Sequence, residues 1–458
     1  MRFLFTTIQF EESAFYGRVG RELAARGHEC SHLSISRLAT RALRKDQPAL
    51  QLGRLMRDAG DPVSLEAEAR RIESQYGLHT LRNAWWPDPA CAGKPERWCL
   101  ERTVRTFRAV ERAFDELRPD VVVPEVGSET MRAAAHHVAL DRGVRVFFLF
   151  LTIFPNPLML YVDRFDGPML DQSELREPSV EERQEVEAWI ARFTAEGKPI
   201  LTHRIARVTT PKLGDFARHV AVKAVAERDN EYLTPARYVT NTLVQRARGV
   251  ALRHLYRQRD PDRPFVYFPL HVTDDFKIKK VIPHCVDQGY LIEQVADSLP
   301  AGYDLVLKEH PVSIGRNPLT WLRRVLRRPN IKLVDPYTSS HDLMAESTAV
   351  AVIGSTVGLE ALLHGKPVLT LGEPYYAGYG VTVDVDSFRE IREAVPRVLH
   401  TPPDREATLR FLAAAMRSTY PGAPQGVDSS PQNALTLSGS LDRAARLFAG
   451  AEREHATA

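Results

Sequence analysis

The sequence predicts an α/β protein of two Rossmann-like domains that face each other across a cleft, with helical insertions in the N-terminal domain. A chain of 458 residues is longer than one ordinary domain. Short apolar strands alternate with helices in both halves, which is typical of parallel sheets. A hinge rich in Asp and Pro lies at 260–264. We expect domains at 1–259 and 260–425, followed by a tail at 426–458 whose helix can cross back to the N-terminal domain.

The N-terminal half contains two strand–helix–strand units. Gly27 and Gly143 end the two helices, because glycine readily adopts the left-handed conformation at a helix C-terminus. The polar, proline-broken stretch between the units is interpreted as helical insertions. The predicted elements are strands at Phe3–Ile8, Cys30–Leu33, Asp120–Val123 and Val144–Leu151, helices at Ala14–Arg26 and Thr130–Arg142, insertions over 36–117, and a charged helical segment over 177–259.

The C-terminal half alternates strands and helices regularly. It contains neither G-x-G-x-x-G nor G-x-x-x-x-G-K-[ST], so neither a standard dinucleotide-binding fold nor a P-loop ATPase is supported. The predicted strands are Phe265–Val272, Tyr303–Glu309, Ile331–Val334, Ala349–Ile353 and Pro367–Leu371, and the helices between them are Cys285–Leu299, Leu319–Arg328, His341–Glu346 and Val357–His364.

Composition excludes several classes of protein. With 44% hydrophobic and 26% charged residues, the chain is expected to be soluble and globular. A net charge of +3 is too small for a general nucleic-acid binder. The four cysteines lack metal-ligand spacing, so we expect a reducing cytoplasm and no structural metal. No signal peptide is visible, and the most apolar window, Val146–Tyr161, is interrupted by prolines, so a membrane would be contacted from one side only.

Ligands bind beyond the carboxyl ends of strands in open parallel sheets, so polar residues there are the first candidates. The sharpest case is the strand ending at Lys308-Glu309-His310-Pro311, because Pro311 cannot continue the ladder. Lys308 and His310 point the same way in extended backbone, with Glu309 opposite. An ammonium and an imidazole together suit a phosphate. The alternative is a solvated strand end with an incidental histidine.

A second candidate is the strand–turn–helix segment Val352–Ala361, in which Ser355 and Thr356 precede a helix. Free amides and hydroxyls at a helix N-terminus bind anions. Simple capping is the alternative, but a capping box needs Glu three residues after the cap, and Glu360 lies four residues after Thr356. On that helix face, Glu360 could accept hydrogen bonds from a ribose or sugar hydroxyl.

Acid–base chemistry is expected from two other positions. His271 ends the first strand of the second domain and could contact a phosphate or assist proton transfer, with a structural role as the alternative. In the N-terminal domain, Glu125 follows one strand, and Glu11 and Glu12 follow another. A carboxylate on the facing domain suits the base that deprotonates a substrate hydroxyl. Glu125 is favoured because a proline before it and a glycine after it hold a tight turn, and ordinary surface glutamates are the alternative.

Three segments carry a resemblance to a known family: Tyr267–Val272, Leu307–Pro311 and Gly354–Leu369. Together they resemble the capsular polysaccharide biosynthesis family of two-domain GT-B glycosyltransferases. That family includes the Kdo transferases of capsule assembly and is more distantly similar to bacterial sialyltransferases with a His-Pro motif. The similarity covers Phe265–Tyr376, and residues 120–167 resemble the acceptor half of the family only loosely.

The resemblance implies metal-independent transfer of a sugar from a nucleotide-activated donor, CMP- or UDP-linked, to a glycan or lipid-linked acceptor in surface polysaccharide synthesis. It implies donor phosphates on His310, with Ser355 and Thr356 beside it; Lys308 and Glu360 join this site on the residue arguments above. The base would lie in the N-terminal, acceptor-side domain. No metal or further cofactor is expected, and we interpret two Asp-x-Asp strings, at 260–262 and 384–386, as chance.

Three other functions stay open on this fold. They are a nucleotide-sugar 2-epimerase, a transferase of polyol phosphate from a CDP-linked donor, and a non-catalytic scaffold in envelope assembly. We expect a cytoplasmic protein that binds no nucleic acid. The basic run Arg246–Arg259 could contact the inner face of an anionic membrane, with a solvated helix face as the alternative.

Overall fold

The strands form two six-stranded sheets, one in each half of the chain. This is a computed structural model, which describes residues 1–60, 62–196, 220–221, 225, 227, 230–233, 235–273 and 275–457. The strands are β1 Arg2–Thr7, β2 Glu29–Ser34, β3 Ala49–Gln51, β4 Val121–Val123, β5 Arg145–Leu151, β6 Leu158–Val162, β7 Phe265–Pro269, β8 Asp304–Lys308, β9 Ile331–Val334, β10 Ala349–Val352, β11 Val368–Thr370 and β12 Val383–Asp384.

Both sheets have the order of a doubly wound fold, β3-β2-β1-β4-β5-β6 and β9-β8-β7-β10-β11-β12. Every pairing is parallel except that of β5 with β6. The strand order reverses between β1 and β4 in the N-terminal sheet and between β7 and β10 in the C-terminal sheet. Ligand crevices form at such switch points. The prediction of an α/β protein with two Rossmann-like domains is confirmed.

Helices cover these sheets, and none in the described residues is both long and apolar enough to cross a membrane. A π-helical turn lies at Lys277–Val281. The α-helices are α1 Phe10–Ala24, α2 Arg37–Leu43, α3 Leu52–Asp58, α4 Leu65–Gln75, α5 Arg82–Trp85, α6 Glu96–Leu117, α7 Thr130–Asp141, α8 Val180–Glu196, α9 Pro235–Leu252, α10 Gln288–Ser298, α11 Leu319–Val325, α12 Ser340–Glu346, α13 Val357–Leu363, α14 Ile391–His400, α15 Arg405–Arg417 and α16 Pro431–Thr457.

Strand β1 shows how the N-terminal sheet is buried on both faces. Leu4 packs into a cluster with residues of α6 and α7, whereas Phe3 and Phe5 pack with residues of α1 and α16. Side chains alternate between the faces of a strand, so an unbroken apolar run is needed when helices cover both. The helix α16 therefore lies on the N-terminal sheet, where Asp442 also accepts a hydrogen bond from His28 at 2.8 Å.

Several element boundaries differ from the sequence-based expectations. Helix α1 begins at Phe10. The Glu12 carboxylate accepts hydrogen bonds from the amides of Ile8 and Gln9, which would otherwise have no partner at the start of the helix. Strands β3, β6 and β12 were not predicted: β3 and β12 are too short to show alternation, and β6 follows the prolines that interrupt the apolar window. The predicted helical segment over 177–259 contains α8 and α9, and its residues 197–219 lie outside the described residues.

Candidate functional site

The carboxyl edge of the C-terminal sheet brings three of the predicted segments together. Strand β7 lies between β8 and β10, so the residues that follow these strands are neighbours. The Gly354 amide donates a hydrogen bond to His271 Nε2 at 3.1 Å, which joins the ends of β7 and β10 across the switch point. On the other side, the Leu270 amide donates to the Lys308 carbonyl at 2.9 Å. His271, Lys308 and the Gly354 turn therefore share one edge.

His271 is buried and neutral. Desolvation by burial, followed by the nearby Lys277 charge, lowers the pKa of its imidazole to about 3. Its Nε2 accepts from Gly354, and its backbone exchanges hydrogen bonds with the Gln288 side chain. The ring therefore holds the glycine turn in place, and its predicted part in proton transfer stays a prediction.

Lys277, in the π-helical turn after β7, contacts the same glycine from the other side. Its ammonium donates to the Gly354 carbonyl at 2.8 Å and lies 5.8 Å from the centre of the Tyr375 ring. Burial lowers the pKa of Lys277, and the Asp275 charge opposes that shift. Sequence reasoning did not identify this lysine, although the pattern Lys277-x-Lys279-Lys280 just beyond β7 was a signal that could have found it.

Lys308 and Glu360 come from separate motifs and share one electrostatic environment. The Lys308 ammonium donates to Ser340 Oγ at 2.6 Å. Burial lowers the pKa of Lys308 to about 8, with the charges of Glu360 and Asp335 opposing the shift. Burial likewise raises the pKa of Glu360 to about 7, against a hydrogen bond from Thr356 and the Lys308 charge. Both groups therefore titrate within reach of neutral pH.

Ser355 and Thr356 lie between β10 and α13, a helix of seven residues. Ser355 Oγ accepts a hydrogen bond from the Val357 amide at 3.2 Å. Thr356 Oγ1 donates to Glu360 at 3.4 Å and makes no capping bond to the helix, in line with the failed capping-box spacing. Each hydroxyl thus has a local partner, and their contact with a phosphate stays a prediction.

His310 lies two residues beyond the end of β8 and is exposed, whereas Glu309 is fully buried. The Asn317 amide donates to Glu309 Oε1 at 2.9 Å, and burial raises the pKa of this carboxyl. Lys308 and Glu309 therefore contact different parts of the protein, as alternation along a strand requires. The His310 carbonyl accepts from the Ser313 amide at 2.7 Å, which begins a tight turn after the strand. Convergence of the His310 ring with Ser355 and Thr356 stays a prediction.

A second cluster lies at the switch point of the N-terminal sheet. Glu125 follows β4 and has a positive φ of 21°, a conformation that residues other than glycine rarely adopt. Burial raises the pKa of Glu125 to about 8, the Glu12 charge adds to the shift, and Arg132 opposes it. A carboxyl with this pKa can exchange a proton near neutral pH.

The structure places Glu12 beside Glu125 and leaves Glu11 on the exposed side of the first helical turn. The two neighbours differ because successive helical residues point about 100° apart. Glu12 Oε1 accepts from Arg132 Nη2 at 2.6 Å, and both side chains are at least nine-tenths buried. The structure therefore pairs Glu125 with Glu12, and a catalytic part for Glu11 stays a prediction.

Within the described residues, no group of three or more His, Cys, Asp or Glu side chains is arranged to hold a metal ion. In one Asp-x-Asp string, the Asp384 carboxylate accepts hydrogen bonds from Thr370 Oγ1 at 2.6 Å and from the Gly378 amide at 2.9 Å. In the other, Asp260 Oδ1 accepts from the Asp262 amide at 3.0 Å. These hydrogen bonds are local to the protein.

Comparison with known proteins gives partial matches to curated relatives. Protein FixF of Sinorhizobium fredii (strain NBRC 101917 / NGR234) is 31% identical over 118 residues, which are 24% of this chain and 27% of FixF. The capsule polysaccharide modification protein LipB of Neisseria meningitidis serogroup B is 27% identical over 157 residues, 31% of this chain and 34% of LipB. The chain thus spans about a third or less of the length of these relatives.

Solved structures of low similarity were also found. The β-Kdo 2,7 transferase of Thermosulfurimonas dismutans KpsC has 18% identity and a TM-score of 0.33, covering 70% of this chain and 88% of that one. UDP-GlcNAc 2-epimerase from Neisseria meningitidis has 14% identity and a TM-score of 0.27, covering 97% and 99%.

The match to a family profile is longer than these pairwise matches, and it includes the residues on both sides of the switch point between β7 and β10. The sequence profile described as capsule polysaccharide biosynthesis protein matches residues 171–421, more than half of the chain. The matched range contains His271, Lys308 and the Gly354 turn, and it includes the segments that carried the resemblance. The chain belongs to the capsule polysaccharide biosynthesis protein family.

Proposed function

We propose that this protein is a glycosyltransferase that moves a sugar from a nucleotide-activated donor to a glycan or lipid-linked acceptor. One observation carries the proposal: at the carboxyl edge of the C-terminal sheet, the buried Lys308 and the half-buried Lys277 donate only to neutral oxygens. Among the described residues, neither ammonium forms an ion pair with a carboxylate. A buried cation without a close anion is costly, and a donor pyrophosphate would offset that cost.

The two crevices divide the chemistry between them. The acceptor hydroxyl oxygen attacks the anomeric carbon of the donor sugar, and the bond from that carbon to the donor phosphate breaks. Glu125 takes the proton of the acceptor hydroxyl, for which a pKa of about 8 makes its carboxylate a stronger base than an ordinary glutamate. Lys277 and Lys308 stabilise the negative charge that develops on the leaving phosphate.

The remaining predicted residues complete the donor side of the proposal. His310 is exposed just after β8 and can donate to a phosphate oxygen. Ser355 and Thr356, in the turn that follows β10, can donate further hydrogen bonds. Glu360, buried behind Lys308, can accept from a sugar hydroxyl or hold the ammonium in place. The positive charge of the lysines takes the part that a metal ion plays in other transferases, so we propose that transfer is metal-independent.

The test is a product assay with CMP-, UDP- and GDP-linked sugars, each with and without glycan and lipid-linked acceptors, in the presence and absence of EDTA. We expect nucleotide release that requires an acceptor, yields a lengthened acceptor and survives EDTA. Conversion of UDP-GlcNAc without an acceptor would instead identify an epimerase. Glu125→Gln should abolish transfer, and the exposed Glu11→Gln serves as the matched control. Equal activity in both variants would contradict the proposed role of Glu125.

A further inference from the structure

Helix α9 presents an apolar strip to solvent. Leu243 is 61% exposed and Val250 is 60% exposed. Together with the exposed Ala247 they occupy positions i, i+4 and i+7, which lie on one helix face. The opposite face packs on the protein through the buried Leu252 and through Gln245, whose amide donates to the Ile314 carbonyl at 2.9 Å. The strip therefore faces away from the C-terminal core.

Positive charge flanks this strip, and the sequence around it contains no acidic residue. The sequence from Leu233 to Arg259 contains six arginines and no Asp or Glu. Arg246, on one edge of the strip, and Arg253, in the turn that follows α9, are both exposed. In the described part of the chain, neither forms an ion pair, whereas Arg259 pairs with Glu346. The face is thus both apolar and cationic.

The helix is fixed against the loop that follows the candidate donor site. Gln245 and Arg248 hydrogen-bond the carbonyls of Ile314 and Arg316, at 2.9 Å and 3.3 Å, a few residues beyond His310. Between them, Gly315 has a φ of 77°, and a side chain there would meet the Gln245 carbonyl at 2.0 Å. This close approach holds α9 beside the segment that carries His310.

From this combination we infer that the exposed face of α9 docks on an anionic lipid bilayer. Basic amphipathic helices lie in the membrane interface with the apolar face among the acyl chains and the cations at the headgroups. A nucleic acid or soluble polyanion would engage the arginines and leave Leu243 and Val250 in water, so the exposed apolar residues favour a bilayer. Docking would bring the loop after His310 close to the surface where lipid-linked acceptors lie.

Sedimentation with vesicles of phosphatidylglycerol and phosphatidylcholine, compared with phosphatidylcholine alone, tests the inference on the full chain. Two paired variants separate the contributions: Arg246→Glu with Arg253→Glu, and Leu243→Ser with Val250→Ser. The matched control is Arg389→Glu with Arg392→Glu, two exposed arginines near the start of α14 that form no ion pair among the described residues. Each arginine near an anionic surface contributes about fivefold to binding.

We expect the chain to bind the anionic vesicles, both α9 variants to lose more than about tenfold in affinity, and the control to change by less than about twofold. Because all substituted side chains are exposed, unchanged unfolding midpoints will show that the variants fold. Absence of vesicle binding, or an equal loss in the control, would overturn the inference. Charge-dependent binding to DNA or heparin as tight as to vesicles, with the Leu243 and Val250 variant unaffected, would also overturn it in favour of a soluble polyanion.

Discussion

Replacing Glu125 with glutamine should make the protein more stable at alkaline pH while abolishing transfer. Burial and Glu12 raise the pKa of Glu125 from 4.5 to about 8, so the folded protein holds a proton that the unfolded chain releases. The stability contributed by this proton is fully present below pH 4.5 and is lost as the pH rises toward 8. Between roughly pH 5.5 and 8.5, this linkage removes about 3 kcal/mol of folding free energy from the unmodified protein. The glutamine side chain cannot ionise, so the variant escapes that loss.

Thermal unfolding across this pH range measures the effect. For the domain that contains Glu125, a difference of about 3 kcal/mol corresponds to roughly 6 to 12 °C in the unfolding midpoint. The excess of the Glu125→Gln midpoint over that of the unmodified protein should therefore be largest at about pH 8.5, smaller by this amount at about pH 5.5, and absent only below about pH 4.5. Glu11 is exposed and directly precedes Glu12 in the chain. The unfolding midpoint of Glu11→Gln should equal that of the unmodified protein at every pH. A difference independent of pH, or the same behaviour in Glu11→Gln, would refute the assignment of the shifted proton to Glu125.

Named contacts support three further predictions. Lys308→Met should lower nucleotide affinity at least about tenfold, because the ammonium that would contact the phosphate is lost. The stability without nucleotide should stay as before, because an apolar chain of similar length replaces a buried charge. Thermal unfolding with and without CMP, CDP, UDP and GDP measures the affinity and the stability. Gly358→Ala should destabilise by about 1–3 kcal/mol, since its Cβ would meet the Tyr376 hydroxyl at 2.1 Å, and Gly426→Ala, with no atom within 4 Å, should be neutral in the same denaturant titration. If Glu125 is the base, the transfer rate should rise with pH and level off near pH 8, and a flat pH profile would contradict that role.

Much of the C-terminal crevice could be predicted from the sequence because each motif follows a strand. A strand end in a parallel sheet fixes which edge a residue occupies, whatever the strand order. The structure accordingly joins the His271 ring to the Gly354 amide and brings Lys308 close enough to Glu360 to influence its pKa. Sequence reasoning assigned these residues to one edge without knowing that β7 separates β8 from β10.

The residues that were missed lie in segments whose backbone conformation the sequence did not predict. Lys277 reaches Gly354 from a π-helical turn, which has no simple sequence pattern. Glu12 was passed over for Glu11 because the predicted loop was already helix, and a helical turn rotates one of the two carboxylates inward. The Arg132 ion pair that fixes Glu12 joins residues 120 positions apart and could not be read from local sequence.

The position of a bound donor nucleotide tests the central claim most directly. A crystal structure with CMP or UDP should show the phosphate groups at the switch point between β7 and β10, with an oxygen within hydrogen-bonding distance of Lys308 Nζ or Lys277 Nζ and the sugar side open toward Glu125. Phosphates bound elsewhere on the chain, with both lysines still donating only to Ser340 and Gly354, would contradict the account.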